Sequence, residues 1–528
     1  MRAARRPPLL LTVPAVLTAA AVSLPLVYLA LRATTVSRAA WSILDARTAR
    51  LVLDTGILVV VVVAAAILIG VPLAWLVTRT DLPGRAFWTV AFALPLVIPS
   101  YVAALTVLGA LGPRGLLQEI LGWAFGVERL PELYGLPGAA YALTLSTYPY
   151  VYLLAAAALR KLDPSLEEAA QGLGAGRWHV FRRVTLPTLL PAVAAGGLLV
   201  ALYVLSDFGV VSLMQYPALT RAIYLAYGAL FDRDPAIVLA LVLVALSAVV
   251  LVAESVVRRR TRYDRASATG ARQPRSVALG RWRPLALAYC FVTVAVFLAL
   301  PVSVLLYWSW QAIDLGRPLD VAWDAALNSA LASALAAAVA VVAALPLAVL
   351  ARRYASWWTR GLERSAYAAN ALPGIVIALS LVFFAARYGG VLYQTLALLV
   401  FAYVVRFLPQ SLAATGSALG RVNPRFEDAS RGLGRGQIGT LARVTAPLVR
   451  PGILAGAALV FLSSMKELPA TLLLRPIGFD TLATEIWQAT AFADFAAAAP
   501  SALLLIAIST PIVYLLVGRH DSELSTPG

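Results

Sequence analysis

Cysteine and histidine are almost missing from this chain of 528 residues, which has one cysteine, Cys290, and two histidines, His179 and His520. A single cysteine cannot form an internal disulfide, and so few scattered ligands cannot form a soft metal centre. We therefore expect these residues to be structural, and we expect the chain to bind no metal of its own. Charged residues are also scarce, at 13% of the sequence, which is about half of their share in soluble domains.

A phosphate-binding loop of the GxxxxGK[ST] type is also absent from the sequence. Because this loop is the usual cradle for the phosphates of ATP, the chain is not expected to bind ATP in that way or to be an ATPase. Its apolar stretches contain no constellation of histidine, cysteine or paired carboxylates, which argues against a membrane-embedded enzyme. Any energy from ATP would have to enter through another subunit.

Apolar residues are abundant, at 61% of the chain, and its mean hydropathy of +0.82 predicts a polytopic membrane protein. A helix needs about 20 apolar residues to cross the bilayer core. On that basis we predict an all-α protein with about twelve transmembrane helices. They are expected near residues 9–31, 51–78, 87–110, 138–160, 188–211, 235–257, 284–310, 325–351, 365–386, 391–415, 450–474 and 497–518. The first lacks the cleavage site of a secretory signal, so we expect it to be retained.

The net charge of +17 is distributed in short arginine runs beside the apolar spans, which is typical of topology signals and not of a nucleic-acid-binding surface. The largest run, residues 258–283, has nine arginines and one aspartate, and we interpret it as a cytoplasmic linker. It separates a first half at 1–257 from a second half at 284–518, followed by a flexible tail at 519–528.

An even number of spans in each half returns both halves to the cytoplasm. The stretches 79–85 and 352–364 then lie on the cytoplasmic side, where arginine is favoured. The loop after the first span departs mildly from this rule. Its four arginines, expected outside, are Arg32, Arg38, Arg47 and Arg50.

A thirty-residue stretch occurs twice without a gap, at 163–192 and at 423–452, with twelve identical positions. Outside this stretch, Pro72 in IGVPLAWLVTR matches Pro346 in AALPLAVLARR. Such recurrence indicates two like halves, each with six spans in the same orientation. Parallel repeats of this kind predict a substrate pathway between the halves.

Each repeated stretch has the signals of a short helix followed by a tight reversal. Asp163 and Asn423 are good N-caps, each followed by a proline at the first helical position. We expect Gly172 and Gly432 to supply the left-handed residue that ends each helix. A second amphipathic segment follows, and the late prolines at 187 and 447 are expected to mark entry into the next span.

The stretches EEAAQGLGAGRWHVFRRVTLP and EDASRGLGRGQIGTLARVTAP resemble the cytoplasmic EAA loop of type I ABC importer permeases. The second copy differs at Asp428, Ser430 and Ala446, but Ser430 is still small. The resemblance implies that each loop forms a coupling helix that fits a cleft on a separate ATP-binding subunit. It implies two copies of that subunit, with ATP and magnesium bound there and no cofactor bound by this chain. The implied coupling residues are Glu167, Glu168, Ala169, Ala170, Gly172, Gly174, Glu427, Asp428, Ala429, Ser430, Gly432 and Gly434.

Three ionisable residues lie at or near the ends of apolar spans, namely Asp207, Lys466 and Glu467. Charges at membrane depth are costly and tend to face a cavity or one another, so these residues are candidates for the pathway or its gate. The alternative is structural, because each could simply pair with a neighbouring helix. The residues themselves leave both interpretations open.

The stretches SDFGVVSLMQYPALTRAIYLAY and KELPATLLLRPIGFDTLATEIW resemble the fused ferric-iron permeases of bacteria, and this likeness covers nearly the whole chain. It implies a multi-pass permease of the bacterial inner membrane, supplied with iron by a periplasmic or lipid-anchored binding protein. Fused permeases for thiamine, and relatives for polyamines or phosphonates, share the architecture and remain alternatives for the cargo. A gradient-driven secondary transporter is the rival class, because twelve spans in two parallel halves also describe it.

Overall fold

The computed structural model describes residues 7–522 apart from 114, 132, 163, 229–232, 264–275, 315, 317–321, 355 and 370–371. Within these residues the chain is helical, and the isolated extended pairing is a parallel bridge between Thr80 and Val277. The predicted all-α class is confirmed. The expected cap at Asp163, the middle of the expected linker and residues 523–528 of the expected tail lie outside the described residues.

Thirteen α-helices begin before residue 258 in the part of the chain that the structure describes, and the last of them, α13, continues into the expected linker. Their bounds are α1 Leu9–Ala33, α2 Arg38–Trp41, α3 Ala46–Arg79, α4 Arg85–Ala91, α5 Ser100–Leu111, α6 Leu116–Phe125, α7 Leu136–Arg160, α8 Pro164–Gly172, α9 Arg177–Val180, α10 Leu186–Ser206, α11 Gly209–Leu213, α12 Leu219–Gly228 and α13 Asp234–Tyr263. A 3₁₀ turn at Leu94–Val97 and a π-helical turn at Phe181–Thr185 complete this part.

Twelve α-helices begin after residue 282 within the described ranges. Their bounds are α14 Arg283–Val294, α15 Leu300–Asp314, α16 Trp323–Arg353, α17 Trp357–Ala368, α18 Gly374–Tyr388, α19 Leu396–Arg421, α20 Pro424–Gly432, α21 Gln437–Thr440, α22 Ala446–Met465, α23 Pro469–Leu474, α24 Leu482–Ala491 and α25 Phe495–Ser522. A 3₁₀ turn lies at Gly280–Trp282, and π-helical turns lie at Ala295–Ala299 and Leu441–Thr445.

Eleven helical segments of the described chain are long and apolar enough to cross a membrane. The ninth expected span, 365–386, is not a single helix, because α17 ends at Ala368 and α18 begins after Pro373. The expected span 87–110 is likewise divided, into α4, a 3₁₀ turn and α5, with breaks near Pro95 and Pro99. Proline explains these breaks, because it lacks a backbone donor and its ring clashes with the preceding turn.

The expected spans 188–211 and 450–474 were wrong at both ends. The corresponding helical segments are Trp178–Ser206 and Leu441–Met465. They begin about three turns earlier than the apolar run, since polar residues of the repeated loop are already helical there. They end earlier because an acidic residue caps a new short helix beyond each of them.

The described residues pack into two compact units, and neither unit is a continuous stretch of chain. The first-loop unit contains residues 39–320 and 486–528, including the first repeated loop. The second-loop unit contains residues 1–38 and 321–485, including the second loop. Each unit therefore combines one repeat with terminal helices from the other sequence half.

A glycine allows close helix approach at the same place in both units. A Cβ atom on Gly196 of α10 would lie 3.0 Å from the Cα of Val151 on α7. A Cβ atom on Gly456 of α22 would lie 3.1 Å from the Cα of Ser411 on α19. Small residues at such crossings let the two backbones approach closely, which favours van der Waals packing of helices in lipid.

We expect Gly456→Leu to lower the thermal stability of the purified protein, because the added side chain would force α22 away from α19. Overpacking of this kind costs about 1–3 kcal/mol. Thermal unfolding in lipid nanodiscs measures the effect. Gly420→Leu is the matched control, because nothing lies within 4 Å of a Cβ at that position on α19. Equal stability of the two variants would contradict this packing role.

Candidate functional site

The two repeated loops form the same structure, with α8 and α20 each nine residues long. The predicted cap at Asn423 is present, since its side-chain oxygen accepts a hydrogen bond from the backbone nitrogen of Arg425 at 3.0 Å. The left-handed residues are Gly174, with φ of 86°, and Gly434, with φ of 82°. The expectation for Gly172 and Gly432 was wrong, because both helices continue through those glycines and turn two residues later.

Beyond the reversal, the helix that leads into the next span is already formed before the late proline. In the first copy it begins at Arg177 and runs through a π-helical turn into α10. The nitrogen of Leu186 donates to the carbonyl of Phe181, five residues back. The widened turn lies where Pro187 removes a regular helical hydrogen bond. Pro187 and Pro447 therefore lie inside a continuous helix, which corrects their predicted role as entry points.

Glu167, the first acidic residue of α8, faces inward. Arg79, the last residue of α3, forms an ion pair with Glu167, and its Nη2 donates to Oε2. Thr185, in the π-helical turn, donates from Oγ1 to Oε1 of Glu167 at 2.6 Å. The side chains of Arg79 and Glu167 are only 6% and 14% exposed. We call these three residues the first anchor.

The second loop repeats this arrangement with Arg353, Glu427 and Thr445, which we call the second anchor. Oε1 of Glu427 accepts from Nη2 and Nε of Arg353, at 2.9 and 3.0 Å. It also accepts from Oγ1 of Thr445 at 3.1 Å. Nη2 of Arg353 further donates to the carbonyls of Leu419 and Val422, at 3.4 and 3.3 Å. Each loop is thus fixed to one end of a long apolar helix, α3 in the first-loop unit and α16 in the second-loop unit.

The two arginines were missed as site residues, because sequence reasoning used them only as topology signals. The internal repeat could have identified them, because both arginines lie at the same distance after a proline that recurs in the two halves. Arg79 lies seven residues after Pro72, and Arg353 lies seven residues after Pro346. Their partners are 88 and 74 residues away in the chain.

Buried ion pairs of this kind fix the positions of the two paired residues more than they stabilise the fold. Their attraction is largely offset by the loss of hydration of both charges, but removing one partner costs about 3–5 kcal/mol, because the other charge stays buried. The anchors therefore determine where each loop lies against its transmembrane helix.

The opposite face of each short helix is exposed. Eight of the twelve predicted coupling residues lie on this face, namely Glu168, Ala169, Gly172, Gly174, Asp428, Ala429, Gly432 and Gly434. The other four point inward or are partly covered, namely Glu167, Ala170, Glu427 and Ser430. Leu173 and Leu433 are 89% and 84% exposed although both are apolar. We call the eight exposed residues, together with these two leucines, the docking surfaces.

An open cleft of about 370 Å³ lies beside α20. Its lining is mostly apolar and consists of Phe426, Ala429, Ser430, Leu433, Arg435, Val444 and Leu448. Ser430 is fixed on the inner side, where its hydroxyl lies 3.2 Å from that of Thr440. The second docking surface thus combines a small-residue helix face with an apolar hollow.

Asp207, predicted for the pathway or gate, is buried and caps a short helix. It accepts hydrogen bonds from Oγ of Ser100 at 2.5 Å and from the nitrogen of Val210 at 2.9 Å. Its carbonyl accepts from Thr220 at 2.6 Å. These bonds satisfy the start of α11, where the chain is interrupted after α10.

Glu467 has the same role in the second-loop unit. It accepts from the nitrogen of Ala470 at 3.1 Å and from Nη1 of Arg406 at 2.8 Å, with 4% of its side chain exposed. Lys466 is half-buried beside it, at the end of α22. The structure gives Asp207 and Glu467 a capping role, and a gate role stays a prediction for all three residues.

The two capping carboxylates, Asp207 and Glu467, accept their side-chain hydrogen bonds from different residue types, a serine and an arginine. Ser100 begins α5 and Gly374 begins α18 at the corresponding repeat position. A Cβ atom on Gly374 would overlap the guanidinium group of Arg406. The serine donor of one unit is therefore replaced in the other by an arginine, which requires a glycine at its side.

Comparison with known proteins finds two matches to the family of binding-protein-dependent transport system inner membrane components, at residues 66–263 and 340–521. The chain is 35% identical over 523 residues to the Fe(3+)-transport system permease protein FbpB 2 of Haemophilus influenzae, covering 97% of this chain and 98% of that protein. It is 25% identical to the ferric transport system permease protein FbpB of Actinobacillus pleuropneumoniae, over 72% of this chain and 58% of that protein. It is also 36% identical to the molybdenum transport system permease protein ModB of Escherichia coli K12, over 25% of this chain and 56% of that protein.

Proposed function

From the premise that the chain belongs to the family of binding-protein-dependent transport system inner membrane components, we propose that it imports ferric iron at the expense of ATP hydrolysed by separate subunits. It is a multi-pass permease of the inner membrane. The cargo proposal rests on one observation, the full-length likeness to a permease named for Fe(3+) transport.

Two ATP-binding subunits, one at each docking surface, would supply the energy. Small residues at 169, 172, 429 and 432 let a partner surface approach closely, and the exposed leucines offer apolar contact. The anchors make each docking surface continuous with the end of a transmembrane helix. Movement of the ATP-binding subunits would thus be passed to α3 and α16, and would shift the permease between its inward-open and outward-open states.

An extracytoplasmic binding protein would select and deliver the iron. Ferric ion is hard and prefers oxygen ligands, which such a carrier can provide in a closed cleft. The permease would then need only to open a pathway beneath the docked carrier. Asp207, Lys466 and Glu467 remain candidates for the residues along that pathway.

Molybdate is the second candidate cargo, because a quarter of this chain matches ModB. Thiamine, polyamines and phosphonates are the other importer cargoes to be compared. Family membership argues against a gradient-driven secondary transporter, because the family is defined by dependence on a binding protein.

Reconstituted with the ATP-binding subunit and binding protein encoded for the same importer, the permease is expected to accumulate radioactive ferric iron only when ATP is supplied. An excess of unlabelled ferric iron should compete, and an excess of molybdate, thiamine, spermidine or phosphonate should not. ATP-dependent accumulation of one of those solutes, without iron accumulation, would overturn the cargo. Uptake driven by a proton gradient in the absence of ATP would overturn the mechanism.

The docking surfaces provide a second test. We expect Leu173→Asp combined with Leu433→Asp to prevent co-purification of the ATP-binding subunit, because a charge replaces an exposed apolar side chain on each docking surface. Leu173→Met with Leu433→Met is the matched control, because it keeps an apolar side chain of similar volume. Uptake should fall at least about tenfold in the aspartate variant, which corresponds to a loss of about 1.4 kcal/mol of binding free energy. Normal capture by that variant would place the interface elsewhere.

A further inference from the structure

The end of the linker pairs with the residues that directly follow α3. The nitrogen of Val277 donates to the carbonyl of Arg79 at 2.8 Å, and the nitrogen of Asp81 donates to the carbonyl of Val277 at 3.2 Å. Oδ1 of Asp81 then accepts from the nitrogen of Leu279 at 2.8 Å. Three hydrogen bonds thus fasten residues 277–279, which we call the strap, to residues 79–81.

The strap holds the same residue that forms the first anchor. Arg79 is bound by the strap through its backbone carbonyl and by Glu167 through its side chain. Thr80 is fully buried between these contacts, and Leu82 and Leu279 are also buried. A shift of the strap would therefore move the arginine that locates the first loop.

The second anchor is secured in a different way. The guanidinium of Arg353 donates to two carbonyls at the end of α19, in addition to Glu427. Nη1 of Arg79, in contrast, is buried and has no acceptor among the described residues. Within the described ranges, the parallel bridge at Thr80 has no counterpart after Arg353. One arginine is thus held by extra side-chain bonds, and the other by a strap on its backbone.

We infer that the strap is a positioning element of the first coupling loop, so that the connection between the two sequence halves fixes one loop and not the other. The strap gives the linker a role besides joining the halves. Its importance for coupling rests on the proposed function, whereas its effect on the first loop can be measured on the permease alone.

Hydrogen exchange of the full-length permease in nanodiscs tests the inference without any partner. Val277→Pro removes the donor to Arg79, and Asp81→Ala removes the acceptor for Leu279. In both variants we expect backbone amides of 165–172 to exchange about threefold to tenfold faster, because each lost hydrogen bond weakens the local structure by about a factor of this size. Amides of 425–432, in the same molecule, should be unchanged.

Val277→Ala is the matched control, because it shortens the side chain but keeps the backbone donor. It should exchange like the parent protein in both loops. Faster exchange limited to 276–281, with 165–172 unchanged, would overturn the inference. Equally faster exchange of both loops in both variants would also overturn it, because the strap would then act on overall stability. If the exchange pattern is as expected but iron uptake is absent, the proposed function fails and the positioning role stands.

Discussion

Exchanging one charge of the second anchor, by Glu427→Arg or by Arg353→Glu, is expected to reduce iron uptake at least about a hundredfold. Either change leaves two like charges buried together at the end of α16, where the native pair is 15% and 7% exposed. Breaking a buried pair costs about 3–5 kcal/mol, and every 1.4 kcal/mol is a factor of ten in population. The loop would leave its place against α16 in nearly all molecules.

The double variant Glu427→Arg with Arg353→Glu separates electrostatic pairing from other effects. It restores opposite charges at the same two positions, so we expect uptake to recover by about tenfold or more over either single variant. Recovery will be incomplete, because a glutamate at 353 cannot donate to the carbonyls of Leu419 and Val422.

Arg425→Gln is the control for this prediction, because Arg425 is exposed on the same helix and its side chain belongs to neither the anchor nor the docking surface. It should retain most of the uptake and the ATP hydrolysis. The measurement is the ratio of iron transported to ATP hydrolysed in proteoliposomes, together with the yield of folded protein. If Glu427→Arg alone transported iron at the parent ratio, the anchor would have no part in coupling.

Gly374→Ser is expected to destabilise the second-loop unit and to abolish uptake. Its Cβ would overlap the guanidinium of Arg406 and lie 2.8 Å from Oε1 of Glu467. The guanidinium group of Arg406 must therefore move away. Glu467 then loses its ion-pair partner while its carboxylate remains buried. A buried charge without its partner costs about 3–5 kcal/mol, which is a large part of the stability of a typical domain.

A second substitution should rescue this variant. In the first repeat, Ser100 donates to Asp207, and Ser146 stands at the position that corresponds to Arg406. Gly374→Ser combined with Arg406→Ser therefore builds the first-repeat arrangement into the second. We expect the double variant to recover most of the thermal stability, because without the guanidinium group the end of the Glu467 side chain can shift and accept a hydrogen bond from the new hydroxyl.

Thermal unfolding in nanodiscs and iron uptake measure both variants. Gly361→Ser on α17 is the matched control, because nothing lies within 4 Å of a Cβ there. It should unfold at the parent temperature. A double variant no more stable than Gly374→Ser would show that the arginine cannot be replaced by the serine arrangement, and that the two caps are not equivalent.

The membrane class, the duplication and the two loops were predictable because their signals are local or periodic along the chain. Long apolar runs can be stable only as membrane-spanning helices or deeply buried ones. The ungapped repeat at 163–192 and 423–452 made two similar loops the expected outcome, and α8 and α20 confirm it. The helix ends were less predictable. Gly172 and Gly174 are equally permissive, and only the packed structure shows which glycine turns the chain.

The composition and spacing of the residues were enough to predict a duplicated, helical membrane protein with paired polar loops, since hydropathy and repetition are properties of the linear sequence. Three features depended on folding in three dimensions. They are the inward direction of Glu167 and Glu427, their arginine partners, and the choice between Ser100 and Arg406 as donors to the caps. These contacts connect residues that are distant in the chain, so no local sequence pattern predicts which residues will pair. Burial determines the partner of each carboxylate. A carboxylate removed from water needs a hydrogen-bond donor, and the packing of the helices fixes which donor is close enough.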